Sequence, residues 1–167
     1  MSSIDQLWAP WRMSFIEQAH RKDRPQGCVL CELQEQEDGP ENLILARGTH
    51  AYVIMNRYPY NCGHLMVVPK AHGSDFSALS QECGSELHAW LQKSAGVLQH
   101  VYAPQGMNVG MNLGAAGGAG IPSHLHYHIV PRWNGDTNFM PVIGQTKVLP
   151  ETLEETYRKL SGQFSSI

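Results

Sequence analysis

Charge is scarce in this chain. Asp, Glu, Lys and Arg make up 16% of its 167 residues, against about 25% in an ordinary soluble domain. The formal net charge is −3, and no basic run is longer than Arg21-Lys22. That excludes the electrostatic footprint of a nucleic-acid backbone, so no nucleic-acid partner is expected. A small phosphorylated ligand is not excluded, because a pocket needs local donors rather than a basic surface. Long hydrophobic runs are also missing. Nothing approaches the ~20 apolar residues of a membrane span, and no membrane partner is expected. Met1 to Asp5 is polar, with no apolar stretch of the signal-peptide kind behind it. The expectation is a cytoplasmic protein. Cysteine is limited to Cys28, Cys31, Cys62 and Cys83, which in a reducing compartment read as thiols or metal ligands rather than disulfides.

What remains suffices for one compact domain with its own core, since 42% of the chain is apolar. Residues 1–27 read as an N-terminal arm that packs Trp8, Trp11, Met13 and Phe15 on the body, or alternatively clamps a nucleobase. Gln34 to Asn42 is polar and acidic, with Gly39-Pro40, and reads as a surface loop. Ala51 to Asn56 and His64 to Pro69 are strand-like, and the turn residues Pro59, Asn61 and Gly63 between them predict a hairpin. Leu79, Cys83, Leu87, Trp90, Leu91, Leu98 and Val101 recur at helical spacing, after a Ser77 or Ser80 cap and before Pro104. Met107 to Leu113 and His124 to Pro131 are the next predicted strands. A last helix is expected to start at Pro150 and to bury Leu153, Tyr157 and Leu160 before Gly162. Strands joined by short turns, with one long helix between pairs, give an α+β class with an antiparallel sheet.

The most informative segment is His124-Leu125-His126-Tyr127-His128-Ile129-Val130. On a strand, alternate side chains share a face, so three imidazoles line one side at roughly 7 Å intervals. Burying them without partners is costly. A solvated sheet face or a simple zinc site is the bland alternative. Imidazole suits phosphoryl and nucleotidyl transfer: the neutral ring is nucleophilic near neutral pH, and the protonated ring donates to a leaving oxygen. Upstream, Asn108 and Asn112 alternate along the predicted third strand. Gly114 to Gly120 then offers backbone N–H groups that can approach anionic oxygens. It lacks the lysine of a P-loop and precedes a strand, so neither that motif nor the dinucleotide fingerprint applies.

Cys28-Val29-Leu30-Cys31 has the spacing to grip one metal ion. From spacing alone, two ordinary thiols are an equal reading. Further ligands would come from afar, with His20, His50, His72 and a triad histidine as candidates.

His124 to Val130 resembles the His-x-His-x-His-x-x signature of the histidine-triad family. The likeness extends to Asn56 through Lys70, to Gly106-Met107-Asn108 and to Asn112. It implies a five-stranded antiparallel sheet with one long helix and a C-terminal helix, in a domain spanning residues 28–140, followed by an extension over 141–167. It also implies a homodimer. By the same resemblance, His126 is the nucleophile on the α-phosphorus. His128 hydrogen-bonds the phosphate or leaving oxygen, His64 supports the triad, and Asn56 faces the ribose. Asn112, Gly118, Ala119 and Gly120 would hold phosphate oxygens. Many family members carry Gln or Ser where this chain has Gly120, leaving Ser123 or backbone N–H groups to substitute. Zinc-binding members pair a Cys-x-x-Cys with the histidine of a Pro-Lys-x-His segment and the first triad histidine. Here the ligands would be Cys28, Cys31, His72 and His124, holding one structural zinc per chain.

Leu7 to Met13 and Val130 to Phe139 resemble the branch that includes bacterial diadenosine tetraphosphate phosphorylases. The resemblance therefore implies a nucleotidyl-His126 intermediate formed from a dinucleoside polyphosphate and resolved by inorganic phosphate, giving ATP and ADP. Hydrolysis of the same substrates, cleavage of nucleoside phosphoramidates and a zinc-stabilised nucleotide-binding module are the alternatives. A catalytic metal bound by the three histidines is a further one. Replacing His126 by Gly is expected to leave the fold intact, on the premise that the ring faces the pocket surface.

Overall fold

The computed structural model describes residues 27–136, 138–143 and 148–164. The tryptophan-bearing arm and His20 lie outside the described residues. Strands β1 (Ile44–Arg47), β2 (Ala51–Met55), β3 (Leu65–Pro69), β4 (Gly106–Met111) and β5 (Tyr127–Arg132) form one sheet in the order β1-β2-β3-β5-β4. Every neighbouring pair is antiparallel. Among the described residues the sheet is accompanied by α1 (Val29–Gln34), the long α2 (Gln81–Tyr102) and α3 (Leu153–Leu160), with a single helical turn at Met140–Ile143. The expected architecture is thus present. No helix among the described residues is long and apolar enough to cross a membrane.

The sheet centre is the core. All residues of β2 and β3 are buried, because these apolar runs are covered on both faces. Helix α2 packs on β2, β3 and β5, presenting Cys83, Leu87, Trp90, Ser94 and Leu98 along one buried stripe. Of the two serines considered as its cap, Ser80 takes the role, accepting from the Cys83 N–H at 3.2 Å. Pro104 lies two residues beyond Tyr102, and Ala103, just before it, turns left-handed at φ 43°, consistent with the ban on helical geometry ahead of proline. In the β2–β3 hairpin Gly63 has φ +74°, and a Cβ there would meet Leu98 at 3.0 Å and Tyr102 at 3.1 Å. Only glycine satisfies both the turn and the approach of α2.

Four details differ from the sequence reading. β5 begins at Tyr127 rather than His124, because β4 ends opposite it: the ladder closes at Met111↔Tyr127 and Val67↔Tyr127. Upstream of that pair, the backbone is held instead by Leu125 N–H donating to the Gly73 carbonyl at 2.8 Å. β4 likewise stops at Met111, short of Leu113, having no partner beyond. Helix α3 starts at Leu153 rather than Pro150, since Thr152 and Glu155 form a capping box that fixes the first turn three residues later. Leu160 is fully buried, while Leu153 and Tyr157 are half-buried against the core. Finally, β1 and α1 have no counterpart in the residue-by-residue pattern. Each is too short to display a period. Between them, the polar 34–42 segment makes turns around buried Asn42, whose side chain accepts from Gly39 and Ile44 N–H and reaches the Leu33 carbonyl.

Candidate active site and metal centre

The triad histidines divide between two neighbouring centres. His124 is turned towards the start of α1. There Cys28 is the N-cap residue and Cys31 lies three positions on, a spacing that puts both thiols on one side of the helix. His124 Nδ1 is 3.2 Å from Cys28 Sγ and 3.5 Å from Cys31 Sγ, and His72 Nδ1 is 3.5 Å from Cys31 Sγ. The four ligand atoms all lie within 4.8 Å of one another. Tetrahedral bonds of about 2.3 Å to sulfur and about 2.0 Å to nitrogen space ligand atoms roughly 3.5 Å apart. The cluster therefore fits one metal ion. The other nitrogen of the His124 ring agrees. Its Nε2 lies 2.8 Å from the Pro69 carbonyl, which only accepts, so Nε2 carries the proton and Nδ1 presents its lone pair to the thiols. Burial, then the adjacent Cys28, pushes the Cys31 thiol up. Of the other candidate ligands, His50 is not in this cluster. It sits at the β1–β2 turn, where its main-chain N–H bonds Glu86.

His126 and His128 form the second centre, their rings 4.9 Å apart. Partner chemistry fixes each tautomer. His126 Nδ1 lies 2.8 Å from the His124 carbonyl, so Nδ1 donates and the neutral ring keeps a lone pair on Nε2. Tyr60 N–H donates to His64 Nδ1 at 3.1 Å. His64 must then carry its proton on Nε2, which faces His128 Nδ1 at 2.9 Å. His128 accepts there and holds its own proton on Nε2. Asn56 approaches His64 Nε2 only to 3.5 Å, too long for a working bond, and its carbonyl oxygen is occupied by Tyr58 N–H. Burial lowers the basicity of His126. Burial, then the His126 ring, pushes His128 down to about 4, so both rings are neutral near pH 7.

One expectation needs correction here: His126 is not surface-facing but 3% exposed. It is packed against His128 and tied to the main chain. The glycine-rich loop also differs in detail from the expected cradle. Gly118 N–H and Ala119 N–H donate within the loop, to Ala115 and Gly114 carbonyls. Asn112 reaches the Gly118 carbonyl at 3.5 Å, and Ser123 is exposed while Gly120 is half-buried. A groove of about 370 Å³ runs between the β2–β3 turn, β4 and β5, lined by Tyr60, Asn108, Asn112, His128 and Arg132 among others. Asn56 and His64 instead border a separate cavity of about 280 Å³, closed by Leu149 to Thr156.

Two features went unread in the sequence. Tyr60 packs its ring 4.5 Å from His64 and 5.9 Å from His128, holding the histidine pair from outside. Arg132 makes a two-pronged pair with Asp136 and donates to Asn108, while Asn61 bonds both Asp136 and the Pro131 carbonyl. This network ties the hairpin turn to the end of β5. Tyr60 lies inside the Asn56–Lys70 stretch that carries the family resemblance, but nothing in one sequence marks a ring that will stack. The pairing of Asn61 with Asp136 spans 75 positions and has no local signal.

The chain is similar to known proteins in sequence and in fold. The HIT domain family matches residues 38–135. A Mycobacterium tuberculosis protein named AP-4-A phosphorylase is 40% identical over 167 aligned residues, covering 97% of this chain and 85% of its own. The structure of a Zn-bound histidine triad family protein from Mycobacterium smegmatis superposes with a TM-score of 0.65 at 24% identity, covering 82% of this chain and 92% of that one. Plasmodium falciparum diadenosine triphosphate hydrolase superposes with a TM-score of 0.59 at 14% identity, covering 76% of each chain. With more than half its length matched and its histidines arranged in two linked centres, the chain belongs to the HIT domain family.

Proposed function

We propose that this chain cleaves dinucleoside polyphosphates of the diadenosine tetraphosphate kind at an α-phosphate, through a nucleotidyl intermediate on His126. The observation that carries the reading is the His124 carbonyl on His126 Nδ1, which fixes the tautomer whose Nε2 is a nucleophile. The name and similarity of the M. tuberculosis relative support the substrate class.

In the first step the Nε2 lone pair forms a bond to the α-phosphorus. The bond from that phosphorus to the bridging oxygen breaks, and ATP leaves with the electron pair. The Nε2–H of His128 hydrogen-bonds the leaving oxygen, a role supported by the proton order that Tyr60 and His64 impose on it. In the second step an oxygen of inorganic phosphate attacks the same phosphorus. The N–P bond breaks, its electrons return to Nε2, and ADP departs. Asn56 faces the ribose. Asn112 and the loop through Gly118, Ala119, Gly120 and Ser123 contact phosphate oxygens, with Gly118 and Ala119 re-forming their bonds to do so.

Cys28, Cys31, His72 and His124 hold one zinc ion, the metal favoured by a mixed thiolate and imidazole tetrahedron. With four protein ligands the ion supplies cross-linking of α1 to the catalytic segment and no open coordination position. The same reading includes a homodimer, a cytoplasmic location, and a division into arm, domain and extension at residues 27/28 and 140/141.

The test is incubation with diadenosine tetraphosphate, with and without inorganic phosphate. ADP plus ATP appearing only with phosphate is the expected result. AMP plus ATP without phosphate would make water the acceptor for the same intermediate. No product, and no covalent labelling of His126, would leave a nucleotide-binding module instead.

A further inference from the structure

The peptide group joining His124 to Leu125 belongs to both centres at once. Its carbonyl accepts the His126 Nδ1 proton at 2.8 Å. Its N–H donates to the Gly73 carbonyl at 2.8 Å, and Gly73 directly follows His72, a ligand of the Cys2His2 cluster. The side chain on the same unit, His124, is itself a ligand, anchored through Nε2 to the Pro69 carbonyl at 2.8 Å. No sheet ladder holds this stretch, since β5 starts only at Tyr127. The orientation of the carbonyl that selects the His126 tautomer therefore depends on His124, the Gly73 contact and the ligand cluster.

We propose that His124 is a positioning residue for the nucleophile, and that metal occupancy of the Cys28–Cys31–His72–His124 cluster fixes the His126 tautomer through the 124–125 peptide. The cluster is then more than a pin for the N-terminal segment. When the ligands are joined, His124 and His72 cannot separate, the 124–125 peptide plane is locked on both edges, and His126 presents Nε2. With the ligands unjoined, His124 Nδ1 and its thiol neighbours lose their common centre. The peptide can then rotate, and His126 exchanges into the tautomer whose lone pair lies on Nδ1. Partners one bond removed from a metal typically change activity by about 10- to 100-fold when lost.

This inference rests on the reading of His126 as nucleophile, and its test separates the two. The full chain is compared loaded with zinc and after stripping by a chelator, at a temperature where circular dichroism shows both folded. Nitrogen-resolved NMR of the imidazole rings, without nucleotide, reads the His126 tautomer directly. The expected result is one tautomer when loaded and a mixture when stripped. In the stripped protein kcat falls about tenfold with KM little changed, and added zinc restores both readings. An unchanged His126 ring signal with unchanged kcat in stripped, folded protein would overturn the coupling and leave a purely structural site. Should stripping unfold the chain, Cys31→Ser retains three ligands and takes its place, titrated with zinc and judged by the same two outcomes. Turnover in a folded His126→Asn variant would defeat the nucleophile assignment alone, because the tautomer shift on metal removal is read without catalysis.

Discussion

At the residue scale, the site is a problem of proton placement. His64, His124, His126 and His128 stand close together; three of them have a ring nitrogen committed by a main-chain partner of fixed polarity, and His128 takes its proton order from His64. The Pro69 and His124 carbonyls can only accept, and the Tyr60 N–H can only donate. Those three main-chain groups decide every tautomer, without any histidine needing a charge. His126→Asn is the informative substitution, because its side-chain N–H₂ can replace Nδ1–H at the His124 carbonyl while offering no nucleophile. Turnover should fall by several orders of magnitude, with circular dichroism and the unfolding midpoint close to the parent. A folded variant that still turns over would refute the assignment. Glycine is the poorer choice, as it empties a ring-sized space in a buried position.

At the element scale, short pieces of structure do the positioning. Helix α1 has six residues and is too short to be stable alone, yet it and its N-cap residue supply both thiols. Cys28→Ser should therefore lower metal content and melting temperature together, as read by metal analysis and calorimetry on the same sample. Unchanged metal content would show that Cys28 is not a ligand. Helix α3 is the opposite case, set by its own sequence through the Thr152–Glu155 capping box. Thr152→Ala should cost about 1 kcal/mol, a fall in melting temperature of about 2–4 °C for a chain of this size, without altering metal content. Helices α2 and α3 were legible in sequence because their apolar positions recur at helical spacing, and the central hairpin because two apolar runs flank turn residues. The boundaries of β4 and β5 were not, because a strand ends where its neighbour does.

At the scale of the whole molecule, folding stores neutral histidines in a low-dielectric interior. His128 has a folded pKa of about 4 against 6.5 for the free side chain. Between those values the unfolded chain binds more protons than the native one. Stability is therefore full above about pH 6.5 and falls as pH drops towards 4, by at most about 1.4 kcal/mol per unit from this ring. His126, lowered by the same burial, acts with the same sign. Urea midpoints at about pH 7.5 and about pH 5.5, at constant slope, check this. A midpoint that holds or rises in acid would contradict the burial of these rings as neutral species.

The fold class, the family and the residue types of both centres were legible in the order of amino acids alone. Alternating apolar and histidine positions, a Cys-x-x-Cys and a helical stripe are local signals read within a few residues. The resemblance already implied that the histidines divide between two centres, and the contacts behind that division belong to the tertiary structure. His124 faces the thiols rather than its triad neighbours because Cys28 and Cys31, 96 and 93 positions away, fold against it. Only the tertiary structure decided which nitrogen of His126 is free, through a carbonyl two residues back. Spacing names candidates, but proton placement depends on which acceptor or donor each ring meets, and long-range packing sets that.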